Sequence, residues 1–381
     1  MGVKLAYCIP ALYSASGMEK TLTIKANYFA DVLGYNVFII TTDGAGKPPA
    51  FLLSNKITII NLNIDFEDIW NYPIYKKAFF YLFKQMVFKR RLSKTLIQIK
   101  PDITISTLRR EINFITKIKD GSRKVGELHF NKRNYRDLDK HDSPGFFKSV
   151  ISRLWMNQLV GNLKKLDKFV VLSNEDKEQW NELENVSVIY NPLEKLPGKT
   201  SDCSAKKVIA AGRFVHVKGY DMLIDSWKIV SEKHPDWTLT IYGAGNKESF
   251  RKQAEAYGIG DKCFFEEPVG NLDDMFRESS IFAFSSRFEG FGMVITEAMA
   301  SGIPPVAFAC PCGPKEIIND GIDGILVEKG DINSLADKIN YLIENESVRK
   351  EMGLAARKRA ERFQIEVIAK EWELLFNELL N

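Results

Sequence analysis

The stretch SIFAFSSRFEGFGMVITEAMASGIPPVAFA, Ser280–Ala309, contains a complete strand, turn, helix and second strand. SIFAFSS and PPVAFA are short apolar runs bounded by turn residues, and MVITEAMAS between them is a helical pattern closed by Gly302. Two such runs joined through a helix predict a parallel pair of strands. The turn RFEGFG carries Gly290 and Gly292, which let backbone amides approach a ligand closely. The amides of Phe291, Gly292, Met293 and Val294 then lie at a helix N-terminus, where partial positive charge favours a phosphate. Glu289 in the turn can accept hydrogen bonds from hydroxyls beside that phosphate. Glu297, about one helical turn further in, can hold a second polyol such as a ribose. A phosphate flanked by two sugars is a nucleoside diphosphate sugar. These residues alone leave a plainer alternative open, in which Glu289 is a capping acid and Glu297 a solvated helix residue.

The same alternation runs outward in both directions. VKLAYCI, NVFIIT, ITIINL, DITIST, RKVGEL and KFVVLS read as strands in the first half. KKVIAAG, WTLTIYG, KCFFEE, SIFAFS, PPVAFA and GILVEK follow in the second. Helical patterns separate most of them, such as GMEKTLTIKANYFADVLG with Gly34 as its C-cap. The expectation is an α/β fold of two doubly wound, Rossmann-like domains facing a central cleft, with ligands at strand C-terminal ends. A length of 381 residues fits two domains. The Pro-, Gly-, Ser- and Lys-rich segment 191–207 is the expected linker between domains 1–190 and 208–360. Residues 361–381 are expected as a C-terminal helix that can cross back to the first domain.

Bulk composition narrows the function classes. A formal net charge of +4 is too small to imply nucleic-acid binding. The five cysteines form no C-x-x-C pair, which argues against a zinc site or disulfide framework and fits a reducing cytoplasm. No apolar run approaches the ~20 residues needed to span a bilayer, and MGVKLAYCIP reads as a first strand rather than a signal peptide. The D-x-D of Asp137 and Asp139 sits in the very polar NKRNYRDLDKHD and reads as a surface loop, not a metal site. His141 and His234 read as surface residues.

More specifically, FEGFGMVITEAMASGIPPV resembles the E-x7-E signature of family 4 retaining glycosyltransferases of GT-B fold, glycosyl transferases group 1. AAGRFVHVKGYDMLIDSW is similar to that family's G-R-x4-K-G-x-D-x-L-I segment, and IYGAG and CGPKEIINDGIDGILVEKGD resemble its following stretches. The resemblance implies that 208–360 binds a nucleotide sugar and 1–190 an acceptor. It implies that Arg213 and Lys218 face the donor diphosphate, where they can stabilise leaving-group charge without a metal. SASGMEK stands where the family has a glycine-rich loop, with Gly17 retained next to Ser16. His129, at the end of the strand in VGELHFNKR, resembles the family histidine that contacts the transferred sugar, although Leu128 separates it from Glu127. A structural histidine at a strand end is the alternative. His216 lies close enough to Lys218 to touch phosphate. No cofactor is expected beyond the donor substrate, with a UDP-sugar favoured over a GDP-sugar.

The run from Tyr75 to Lys100 holds no acidic residue. On a helix, Lys77, Tyr81, Lys84, Phe88 and Arg91 fall on one stripe, and Phe79, Leu82, Phe83 and Met86 on another. The first is expected to contact an anionic membrane and the second to pack in the core. A solvated cationic face is the alternative, and no RNA-binding signature accompanies it. The expected function is a retaining, metal-independent hexosyltransferase in envelope polysaccharide or glycolipid assembly, cytoplasmic and peripheral on the cytoplasmic face of the membrane. The rivals are a GT-B-like sugar-nucleotide epimerase and a non-catalytic subunit of a glycosyltransferase complex.

Overall fold

The computed structural model describes residues 2–69, 72–132 and 146–381. The chain divides into two compact units, Met1–Pro192 with Ile365–Asn381, and Leu193–Gln364. The expected surface-loop residues Asp137, Asp139 and His141 lie outside the described residues.

The first unit holds β1 (Lys4–Ile9), β2 (Asn36–Thr41), β3 (Thr58–Asn61), β4 (Ile103–Ser106), β5 (Arg123–Glu127), β6 (Lys168–Val171) and β7 (Val186–Val188). They form one parallel sheet in the order β3-β2-β1-β4-β5-β6-β7. Strand β1 shows how the sheet is covered. Leu5, Tyr7 and Ile9 point into a core shared with helices Gly17–Asp31 and Ile365–Leu380. Ala6 and Cys8, on the other face, meet Phe88, Leu92 and Leu96 of helix Ile74–Ile99. A strand buried on both faces has no solvent side to alternate with, which is why β1 reads as a continuous apolar run after Lys4.

The second unit holds β8 (Lys207–Ala211), β9 (Thr238–Tyr242), β10 (Cys263–Glu266), β11 (Ile281–Phe284), β12 (Pro305–Phe308) and β13 (Ile325–Val327). They too are parallel, in the order β10-β9-β8-β11-β12-β13. In each sheet the winding reverses beside the first strand, at β1/β4 and at β8/β11. Such a switch point splays the loops at the strand C-terminal ends apart and leaves a crevice. Every strand predicted from the sequence is present. The short β7 was not anticipated.

Helix Ile74–Ile99 forms as the periodicity predicts, but with its faces exchanged. Phe88 is 2% exposed and lies edge-on to the rings of Phe66 and Phe114, with centroids 6.0 and 5.1 Å away. Tyr81 is 5.8 Å from Phe66. Lys84 Nζ donates to the carbonyl oxygens of Ile64 (2.7 Å) and Asp65. Arg91 donates to those of Leu62 (2.5 Å) and Asn63 (2.7 Å). The loop after β3 explains the exchange. Asn63 and Asp65 have left-handed backbones, at φ 51° and 53°, so several carbonyls there lack ladder partners. Buried or half-buried carbonyls require donors, and the two long cations supply them. Tyr81, Lys84 and Phe88 therefore cannot form the expected membrane face, and Arg91, though exposed, is bonded to the loop carbonyls. Lys77 is half-buried beside them. The expected core stripe is outside instead: Phe79, Leu82, Phe83 and Met86 are 69, 65, 52 and 65% exposed.

Candidate functional site

Two turns meet at the switch point of the second sheet. The turn after β8 runs through Gly212, Arg213 and the short helix His216–Lys218 to Gly219. The turn after β11 runs through Ser285, Ser286 and Glu289 to helix Met293–Ala300. They are tied together at several points. Ser285 Oγ donates to the Lys218 carbonyl at 3.0 Å, and the Arg287 amide to that of Val217 at 2.8 Å. The Arg287 guanidinium bonds both Asp221 oxygens, at 2.7 and 2.5 Å, and the His216 carbonyl at 2.8 Å. Such a bidentate pair fixes orientation as well as distance.

Glycine makes this approach possible. Gly219 has φ +64°, and a Cβ there would sit 2.1 Å from the Ser285 carbonyl oxygen. The clamp brings Lys218 and Glu289, seventy-one positions apart, into an ion pair of 2.6 Å. Ser286 Oγ also donates to Glu289 at 2.7 Å. Burial, with Glu289 adding to it, pushes the Tyr220 phenol well above its ordinary range, so that hydroxyl stays protonated. Arg213 is exposed, and its guanidinium has no hydrogen-bond or ion-pair partner among the described residues. His216 is exposed on the same turn. Gly292, at φ +96°, caps helix Met293–Ala300, on which Met293, Val294 and Glu297 are half-buried. Phe291 is buried edge-on to Phe363, 5.7 Å between centroids, and Glu289 and Gly290 are half-buried beside it.

Of the expected residues in the first unit, Gly17 is exposed at the start of its helix, with the Ser16 hydroxyl bonded to the Glu19 carboxylate. The His129 side chain is buried, two residues beyond β5. Its Nε2 is 3.4 Å from Glu127 Oε1, but not aligned for a hydrogen bond, and neither ring nitrogen has a hydrogen-bond partner among the described residues. Burial lowers its pKa to about 4; Glu127 opposes this, and Lys25 and Arg109 add to it. The ring is therefore neutral at physiological pH.

The sequence reading missed what stands behind this histidine. Lys25, from helix Gly17–Asp31, forms a buried ion pair with Glu127. Its ammonium lies 4.4 Å from the Trp372 ring centroid and 5.8 Å from that of Tyr7. Burial pushes the Glu127 carboxyl up, but the Lys25 charge and His129 outweigh it, so Glu127 is held ionised. A signal was available in the sequence. Lys25 shares a helical stripe with Leu22, Ala26 and Phe29, all buried, and a lysine on an apolar stripe calls for a buried partner.

These two doubly wound units are an α/β fold of the GT-B class. Residues 196–359 match the family described as glycosyl transferases group 1. An uncharacterized glycosyltransferase of Haemophilus influenzae is 29% identical over 377 residues, 97% of this chain and 99% of that protein. The amylovoran biosynthesis glycosyltransferase AmsD of Erwinia amylovora is 32% identical over 226 residues, 56% of this chain and 62% of its own. A crystal structure of Staphylococcus aureus TarM with fondaparinux, α-GlcNAc-glycerol and UDP superposes with a TM-score of 0.78 at 18% identity, covering 98% of this chain and all of that one. The chain is similar to the group 1 glycosyltransferases, with the family match lying in residues 196–359, and these likenesses support a transferase. Neither the epimerase nor the non-catalytic subunit is favoured by these matches.

Proposed function

We propose that the protein is a retaining glycosyltransferase that moves a sugar from a UDP-sugar, in preference to a GDP-sugar, to a saccharide or lipid-linked acceptor in envelope polysaccharide or glycolipid assembly. The observation that carries this is the Lys218–Glu289 pair, clamped between two turns at the switch point and beside a helix N-terminus. In this reading the Lys218 ammonium and the amides at the helix start take the diphosphate, and the Glu289 carboxylate takes its sugar hydroxyls. In this scheme Lys218 and Arg213 take up the charge that develops on the leaving diphosphate, so no metal is required. Glu289 holds the transferred sugar, and Glu297 the ribose. His129, kept neutral by burial, donates or accepts a hydrogen bond without bringing charge to the sugar. Retention follows from a same-face displacement in which the leaving phosphate helps deprotonate the acceptor. Support for the donor comes from UDP in the TarM structure, and for the pathway from the name of the amylovoran relative. The protein would work in the cytoplasm, with peripheral contact to an anionic membrane and none to nucleic acid.

The test is transfer from a panel of UDP-, GDP- and ADP-sugars in excess chelator, with the product anomer read by NMR. Metal-free transfer with retained configuration from a UDP-sugar, lost in Arg213→Ala and Lys218→Ala, is the expected result. Activity that needs added manganese or magnesium, or an inverted product, would overturn it.

A further inference from the structure

The most conspicuous surface outside the switch points is on helix Ile74–Ile99. Tyr75, Phe79, Leu82, Phe83 and Met86 recur at intervals of three and four, so they share one side of the helix. All five are 52–71% exposed. An apolar stripe at helical spacing is ordinarily buried, and contiguous exposed aromatics on a folded surface mark a contact site. One turn further on, the same side continues as Lys89, Arg90 and Lys94, all exposed. No acidic residue lies between Asp68 and Asp102. Lys84 and Arg91, on the opposite side, donate to loop carbonyls and add nothing that neutralises this face.

We infer that this outward face is where the protein docks on a bilayer rich in anionic lipid, the aromatics entering the headgroup–acyl boundary and the cations meeting lipid phosphates. This deepens the membrane contact in the proposed function and rests on that reading, but assigns it to the side opposite the one the sequence suggested. Charge complementarity selects the occupant. A second copy would bring the same unbalanced cations against themselves, whereas an anionic surface neutralises them and also accepts the apolar side. The geometry is that of an interfacial helix. Among the described residues no helix is long and apolar enough to cross a membrane.

Vesicle co-sedimentation with the full chain tests both halves of the face. Wild type should bind phosphatidylglycerol-containing vesicles at low salt and lose most, but not all, of that binding as the Debye length shrinks from ~10 to ~3 Å between 0.1 and 1 M salt. Lys89→Glu/Arg90→Glu/Lys94→Glu should weaken low-salt partitioning by at least about a hundredfold, since each cation is worth about fivefold. Phe79→Ser/Leu82→Ser/Phe83→Ser should abolish the salt-resistant remainder. Thermal unfolding should be unchanged in both variants, because the replaced side chains are already in water. Transfer to a short soluble acceptor should also be unchanged, which separates failure of docking from failure of the proposed reaction. Wild-type binding by both variants would overturn the inference. So would a wild-type dimer that the serine variant converts to monomer, because the face would then be covered by a second copy.

Discussion

Replacing Lys25 by methionine removes one charge of a buried pair and leaves its shape nearly intact. Lys25 is 1% and Glu127 2% exposed, so neither charge has solvent to fall back on. Breaking such a pair from one side costs about 3–5 kcal/mol, because the remaining carboxylate is stranded in a low-dielectric site. The ammonium also gives up the Trp372 face at 4.4 Å, a contact worth about 2 kcal/mol when desolvated and partly contained in that figure. A loss of about 4 kcal/mol corresponds to a fall in Tm of roughly 8–16 °C for a unit of this size. Lys25→Met/Glu127→Gln should recover part of this, so that the double variant costs at least about 2 kcal/mol less than the two singles added together. Urea unfolding gives the free energies, and hydrogen exchange at the β5 amides localises the loss to the first unit. A second readout is specific to the pair. Lys25 helps to hold the His129 pKa down, so removing it should move the ring's NMR titration upward from about 4. A loss below about 1 kcal/mol, additive singles and an unmoved titration would together refute the pairing.

The acid limb of stability should carry His129. Its folded pKa of about 4 lies below the ordinary 6.5, so between those values the unfolded chain binds the proton and the folded chain does not. Stability should fall as pH drops from about 6.5 towards 4, by at most about 3 kcal/mol, and His129→Gln should flatten that limb in an unfolding series. Gly219→Ala forces a side chain into a left-handed backbone and against the Ser285 carbonyl, so it should cost more than about 1 kcal/mol and separate Lys218 from Glu289. Weaker UDP binding by calorimetry, together with a lowered Tm, is the expected outcome. Phe88→Ala should cost about 3–5 kcal/mol and Phe79→Ala at most about 0.5, and equal melting curves would mean that the helix faces are assigned wrongly.

The strands were legible because burial on both faces leaves a mark that needs no partner to read: β1, β8 and β11 are largely apolar runs between turns, and β4 is a β-branched one. β7 was not, because Val186–Val188 has a serine at its centre and too few apolar residues to stand out, whereas the equally short β13, Ile325–Val327, is apolar throughout. The long helix shows what periodicity withholds. Its wheel divides Phe88 from Phe79 correctly, but both stripes carry aromatics, and the inward one is set by tertiary partners, the core around Phe66 and Phe114 and the carbonyls of Leu62–Asp65. At the site, the turn chemistry of Gly290, Gly292 and Glu289 was readable locally. The pairing of Glu289 with Lys218 depends on β8 and β11 being neighbours, a tertiary fact. Lys25 was readable in principle as a lysine on an apolar stripe, but nothing local names Glu127 as its partner.

The helix Ile365–Leu380 completes the core of the first sheet, yet it leaves the ribosome after the whole of the second unit. While the rest of the first sheet is already synthesised, Leu5, Phe29 and Val37 lack Trp372, Phe376 and Leu379, and Lys25 lacks the ring it rests on. The nascent amino-terminal half therefore waits, with an apolar groove open, for this helix to arrive. Chains that stop before this helix should be recognised by holdase chaperones and proteases rather than persist as a folded fragment.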